Sequence, residues 1–149
     1  MYQKQHKIDI AYIKMAQTWS ELSHATRKKV GALIVKNNTI IADGFNGTPS
    51  GFENECEYAV NNEDGSFKEY RTKWYVLHAE SNALAKVAKS TQSSDGATLY
   101  ITYSPCTDCS KLILQAGIKR VVYAEEYRDT NGLDFLRRAG IEVKKIDLE

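Results

Sequence analysis

His78-Ala79-Glu80 and Pro105-Cys106-Thr107-Asp108-Cys109 carry the side chains best suited to chemistry in this chain. Two cysteines three residues apart lie on one face of a helical turn, so both sulfurs can reach one ion. A histidine delivered from another segment makes a third ligand. Three protein ligands leave a tetrahedral zinc with one open position, which marks a catalytic and not a closed structural site. Zinc held in this way supplies hydroxide at neutral pH, because the pKa of a coordinated water falls from about 15.7 toward about 7. Glu80 is then free to move protons as a general base and acid.

Those side chains meet only if helices begin where they stand. On a regular helix, positions 78 and 80 point roughly 200° apart. Both face one cavity if His78 sits at the mouth of a helix and Glu80 in its first turn. The run 79–89 reads as that helix, with Leu84, Val87 and Ala88 as its apolar stripe. Pro105 is placed to start a second helix. Cys106 and Cys109 then lie in its positive first turn, which favours thiolates.

Composition sets the outer bounds. The chain has 149 residues, read as one domain (1–149) able to bury a proper core. A net charge of +1 argues against a polyanion-binding surface, so no nucleic-acid partner is expected. No signal peptide or long apolar run is evident, so no membrane segment is expected. Three cysteines, two of them claimed by the metal, fit a reducing cytoplasm and not a disulfide scaffold. The third, Cys56, lies in an acidic stretch and reads as a free thiol.

The remaining elements follow from periodicity. Ile8 to Leu22 reads as a helix with Ile8, Ala11, Tyr12, Met15, Ala16 and Trp19 as its packing face. Val30 to Val35 and Thr39 to Gly44 read as a hairpin turning at Asn37-Asn38. Arg27 precedes it, and its planar fork suits an oxyanion such as phosphate. Gly44 to Gly51 reads as a tight exposed loop in which Asn46 could bond a sugar hydroxyl. Residues 52–77 give no clear pattern. Strands are expected at Ala97 to Tyr103, Arg120 to Ala124 and Ile141 to Ile146. Helices are expected through Ala116, closed by Gly117, and from Leu133 to Ala139, closed by Gly140. This order predicts an α/β fold: three layers, α/β/α, around one mixed central sheet whose last strands are parallel.

The pattern His-x-Glu…Pro-Cys-x-x-Cys is that of the zinc nucleobase deaminases. The chain resembles the cytidine and deoxycytidylate deaminase superfamily, and its deoxycytidylate branch most, from about Val30 to about Ile141. The resemblance rests on Gly44-Phe45-Asn46-Gly47-Thr48-Pro49-Ser50-Gly51, His78 to Ala83, Ser104 to Cys109 and Gln115 to Lys119. It implies a five-stranded sheet and hydrolysis of dCMP to dUMP and ammonia, feeding thymidylate synthesis. It also implies His78, Cys106 and Cys109 as ligands of one catalytic zinc and Glu80 as the proton shuttle. Asn46 would meet the sugar, and the Ala79 amide and Ser104 carbonyl the pyrimidine edge. Arg27 and Tyr123 would lie near the phosphate and ring. Members are often hexamers activated by dCTP and inhibited by dTTP, with Gly44, Phe45, Gly47 and Thr48 in the effector loop.

Two departures stand out. Some phage members hold a second, structural zinc through further cysteines, but residues 25–28 here are Ala-Thr-Arg-Lys and Cys56 stands alone. A second zinc is therefore not expected. Phe45 stands where the family often has tyrosine, so a hydroxyl contact is absent. Rival readings are a deaminase of free cytidine or of tRNA adenosine, a non-catalytic zinc protein, and a dithiol redox protein. An intact Glu80 argues against the non-catalytic zinc protein, since a structural site needs no carboxylate that is not a ligand.

Overall fold

A computed structural model describes residues 2–148. Its centre is one five-stranded sheet, in the order β2 (Thr39–Phe45), β1 (Gly31–Lys36), β5 (Thr98–Tyr103), β6 (Arg120–Glu125) and β7 (Glu142–Lys145). β1 runs antiparallel to both β2 and β5, whereas β5, β6 and β7 are parallel. The expected mixed sheet is thus present. The β1–β2 turn is tight because Asn37 and Asn38 both adopt positive φ, 53° and 57°. Such a turn matches the right-handed strand twist, and asparagine tolerates the conformation.

Alternation along the strands splits the core into two layers. Ala32, Ile34, Leu99, Ile101, Val121 and Tyr123 face α2 (Ala79–Ala88), α3 (Thr107–Gln115) and α4 (Asn131–Arg138). Leu33, Val35, Tyr100 and Val122 face α1 (Tyr2–Ser20), through Ile13 and Ala16. The three-layer α/β/α arrangement follows. Among the described residues, no helix is long and apolar enough to cross a membrane.

The structure corrects several sequence expectations. α1 begins at Tyr2, before Ile8, and ends at Ser20. Its inward face is also shifted: Met15 is exposed, while Asp9, Ile13 and Ala16 are buried. Asp9 turns inward because Arg120, 111 residues later, binds it through two bonds of 2.8 and 2.7 Å, and the Tyr100 hydroxyl donates a third at 2.7 Å. On α2, Ala83 is buried and Ala88 exposed.

Residues 52–77 hold a second, two-stranded sheet, β3 (Glu57–Asn61) and β4 (Phe67–Thr72), paired antiparallel. Neither strand alternates clearly between buried and exposed positions, so period two is missing from the sequence.

The segment 44–51 is not the open loop expected. Gly44 and Phe45 are still in β2, and Gly47 pairs with Leu77 through two main-chain bonds of 3.1 and 2.7 Å. Thr48 Oγ1 donates to the Glu53 carbonyl at 2.6 Å. Gly44 must lack a side chain, because a Cβ would overlap the Ala79 carbonyl oxygen at the start of α2.

Candidate active site

Two helix starts and one strand end build the site. Leu77 is held by its bridge to Gly47, so α2 begins beside the end of β2. Asn82 fixes that approach, its Nδ2 donating to the Phe45 carbonyl at 2.8 Å. His78 is the N-cap of α2, with extended backbone (φ −79°, ψ 155°) and no side-chain cap bond. Its ring turns instead toward the sulfurs. Cys106 is the N-cap of α3, and its sulfur accepts from the Cys109 amide at 3.4 Å. α4 closes over this turn: a Cβ on Gly132 would overlap the Pro105 carbonyl oxygen. Close packing at Gly44 and Gly132 therefore holds each helix start in place.

The geometry suits a metal. His78 Nδ1 lies 3.5 Å from Cys106 Sγ and 3.3 Å from Cys109 Sγ. The three donor atoms all lie within 4.8 Å of one another. Zn–N and Zn–S bonds at tetrahedral angles put nitrogen and sulfur about 3.6 Å apart, so small adjustments admit the ion. One of the two thiols is already primed. Hydrogen bonds from Cys109 and His78 bring the Cys106 thiol down to about 4. The neighbouring Cys106 sulfur, and then burial, push Cys109 well above the ordinary thiol range. A divalent cation between them displaces the shared proton and takes both sulfurs as thiolates.

Glu80 is 3% exposed. Burial pushes its carboxyl up to about 7, against the opposing charge of His78. A carboxyl poised near neutrality can both take and give a proton. His78 is raised, first by its bond to Cys106, against the opposing effect of burial.

These residues open on a cleft of about 320 Å³ lined by Arg27, Asn46, His78, Ala79, Glu80 and Tyr127, among others. Of the residues singled out from the sequence, the cleft thus gathers Arg27, Asn46, Ala79, His78, Glu80 and Cys106, with Cys109 beneath. Asn46 also staples its own wall: Oδ1 accepts from Val30 N at 2.8 Å, and Nδ2 donates to the Lys28 carbonyl at 2.7 Å.

Other assignments move. Tyr123 does not reach the cleft. Strand alternation turns it into the core, where its hydroxyl donates to Glu126 at 2.8 Å. Tyr127, four residues on, lines the cleft instead. Burial, followed by the charges of Glu80 and Cys106, pushes the Tyr127 phenol up to about 12. Ser104 is fully buried behind the lining, its Oγ accepting from Tyr127 N at 2.9 Å. Gly44, Phe45, Gly47 and Thr48 lie outside the lining. Cys56 is buried with its thiol raised by desolvation, and it stands apart from the histidine–cysteine group.

Lys28 joins the same wall from the segment before β1. Its Nζ lies over both Tyr103 and Tyr127, 4.3 and 4.4 Å from the ring centres. These contacts join elements far apart in the chain, and no local pattern announces them.

A mixed sheet with a buried glutamate beside a histidine and two cysteines, at paired helix starts, defines a site able to hold a metal ion beside a proton-transferring carboxyl. The family model for the cytidine and deoxycytidylate deaminase zinc-binding region matches residues 6–125, and the chain belongs to that family. The deoxycytidylate deaminase of Enterobacteria phage T4 is 39% identical, over 88% of this chain and 86% of that protein. The yeast (Saccharomyces cerevisiae) deoxycytidylate deaminase is 35% identical over 92% of this chain, but only 44% of its own length. The dCMP deaminase of cyanophage S-TIM5, solved in complex with dCMP and dUMP, is 52% identical. It covers 94% of this chain and 97% of its own, with a TM-score of 0.82.

Proposed function

We propose that the chain hydrolyses dCMP to dUMP and ammonia, with one zinc ion held by His78, Cys106 and Cys109. The observation that carries this reading is the cleft itself, whose lining combines Glu80, His78 and Cys106 of the three-donor group with Arg27. The likeness to the cyanophage enzyme that binds dCMP and dUMP supports it. The zinc supplies Lewis acidity and a nucleophilic hydroxide at neutral pH. The chain's residues do the rest. Glu80 takes the proton of the attacking water and delivers it to ring N3. It then carries the proton of the new C4 hydroxyl to the amino group, so that C4=O forms as the C4–N bond breaks and ammonia departs. The Ala79 amide orients the pyrimidine edge, Asn46 the sugar, and Arg27 the phosphate through charge-assisted bonds.

The resemblance supports the further proposal that the product feeds thymidylate synthesis. It extends the proposal to a hexamer activated by dCTP and inhibited by dTTP, tested by turnover with each nucleotide and by mass in solution. Ammonia release from dCMP, deoxycytidine, CMP and a tRNA-loop adenosine tests the substrate. dCMP is expected to react fastest; preference for a nucleoside or for the RNA overturns the reading.

A further inference from the structure

The wall of the cleft at residues 26–30 has no regular secondary structure, yet it carries Arg27. Asn46 staples its inner end at Lys28 and Val30. Its outer end is held by the separate β3–β4 hairpin. Both Glu57 carboxylate oxygens accept from Thr26 N, at 3.1 and 3.0 Å, and one also accepts from Arg27 N at 3.1 Å. Directly across the hairpin, Thr72 is the register partner of Glu57 and itself lines the cleft. Its Oγ1 meets the Arg27 guanidinium at 3.4 Å. One rung of the hairpin therefore grips Arg27 at both ends, main chain and side chain.

We propose that Glu57 is a positioning residue that, together with Thr72, aims Arg27 at the substrate's phosphate. The hairpin is then an arm that selects nucleotide over nucleoside. This inference rests on the reading of dCMP as substrate. Physically, a flexible segment that must present a cation has to be ordered before the ligand arrives. Otherwise the ordering entropy is subtracted from the binding. Glu57 does this through charge-assisted bonds to main-chain N–H groups, which are stronger than neutral ones. Because its negative charge is directed into those N–H groups, it repels a nearby phosphate less.

Steady-state kinetics on the metal-loaded protein test it. Glu57→Ala is expected to raise KM for dCMP about tenfold, with kcat and the kcat/KM for deoxycytidine changing less than about twofold. Glu57→Gln keeps one acceptor oxygen and should fall between. Thr72→Val should show a smaller shift in the same direction, and it carries the test if Glu57→Ala does not fold. A folded Glu57→Ala protein with unchanged KM for dCMP, or with kcat lowered alike for both substrates, overturns the proposal. Arg27→Ala separates the two levels. If it raises KM for dCMP and not for deoxycytidine while Glu57→Ala does neither, only the positioning role fails. If it affects both substrates alike, the phosphate reading fails and the role of Glu57 with it.

Discussion

Two carboxylates are buried among the described residues, and they have opposite fates. Asp9 is fully buried on the α1 side of the sheet and Glu80 nearly so on the other side. Burial alone would raise both. At Asp9, hydrogen bonds from Arg120, Tyr100 and Gln5 overcome it and hold the carboxyl below its ordinary 3.8. At Glu80 the charge of His78 and the local hydrogen bonds do not offset burial, and the carboxyl rises to about 7. Asp9 is matched by its hydrogen-bonding partners, whereas Glu80 is both more deeply desolvated and less well matched. A buried acid with its charge matched organises structure. One left beside a metal-binding trio is kept able to exchange a proton near neutral pH.

The largest expected effect separates the two directly. Glu80→Gln should lower turnover of dCMP by about 10³-fold while leaving the melting temperature essentially unchanged. Asp9→Asn should do the reverse. Breaking a buried pair costs about 3 kcal/mol, a fall of roughly 6–12 °C in Tm, with kcat of the folded protein little altered. Calorimetry and steady-state kinetics on both variants check this, and a loss of turnover without loss of Tm in Asp9→Asn would erase the contrast.

A smaller effect appears in acid. A carboxyl lowered on folding contributes stability that is present above its unfolded value, about 3.8, and is lost as pH falls through the folded one. Melting temperatures between about pH 5 and pH 2 should therefore fall more steeply in the parent than in Asp9→Asn. Parallel slopes would mean that Asp9 is not ionised in the folded protein.

The same contrast explains what the sequence could and could not reveal. His78, Glu80, Cys106 and Cys109 were legible because their types and spacings are local, and each segment opens a helix. The hairpin at Asn37-Asn38 and the parallel β5–β6–β7 strands were legible for the same reason. Asp9 was not, because its partner Arg120 lies on another element and an acid on α1 reads as a solvated face. The β3–β4 hairpin was hidden by its exposure: Tyr58, Phe67 and Tyr70 are about half exposed, so nothing sets one face apart. Tyr127 was missed for Tyr123 because it lies just beyond β6, where no strand period places it. The β6 alternation, read against the packed helices, turns Tyr123 inward to the core.

Zinc content per chain, measured by emission spectrometry on the purified protein, tests most directly whether Glu80 works on protons and leaves the ion to the other three side chains. One zinc is predicted in the parent and in Glu80→Gln, with loss of the metal in Cys106→Ser. A Glu80→Gln protein that has shed its zinc, or a Cys106→Ser protein that keeps it, would contradict the assignment.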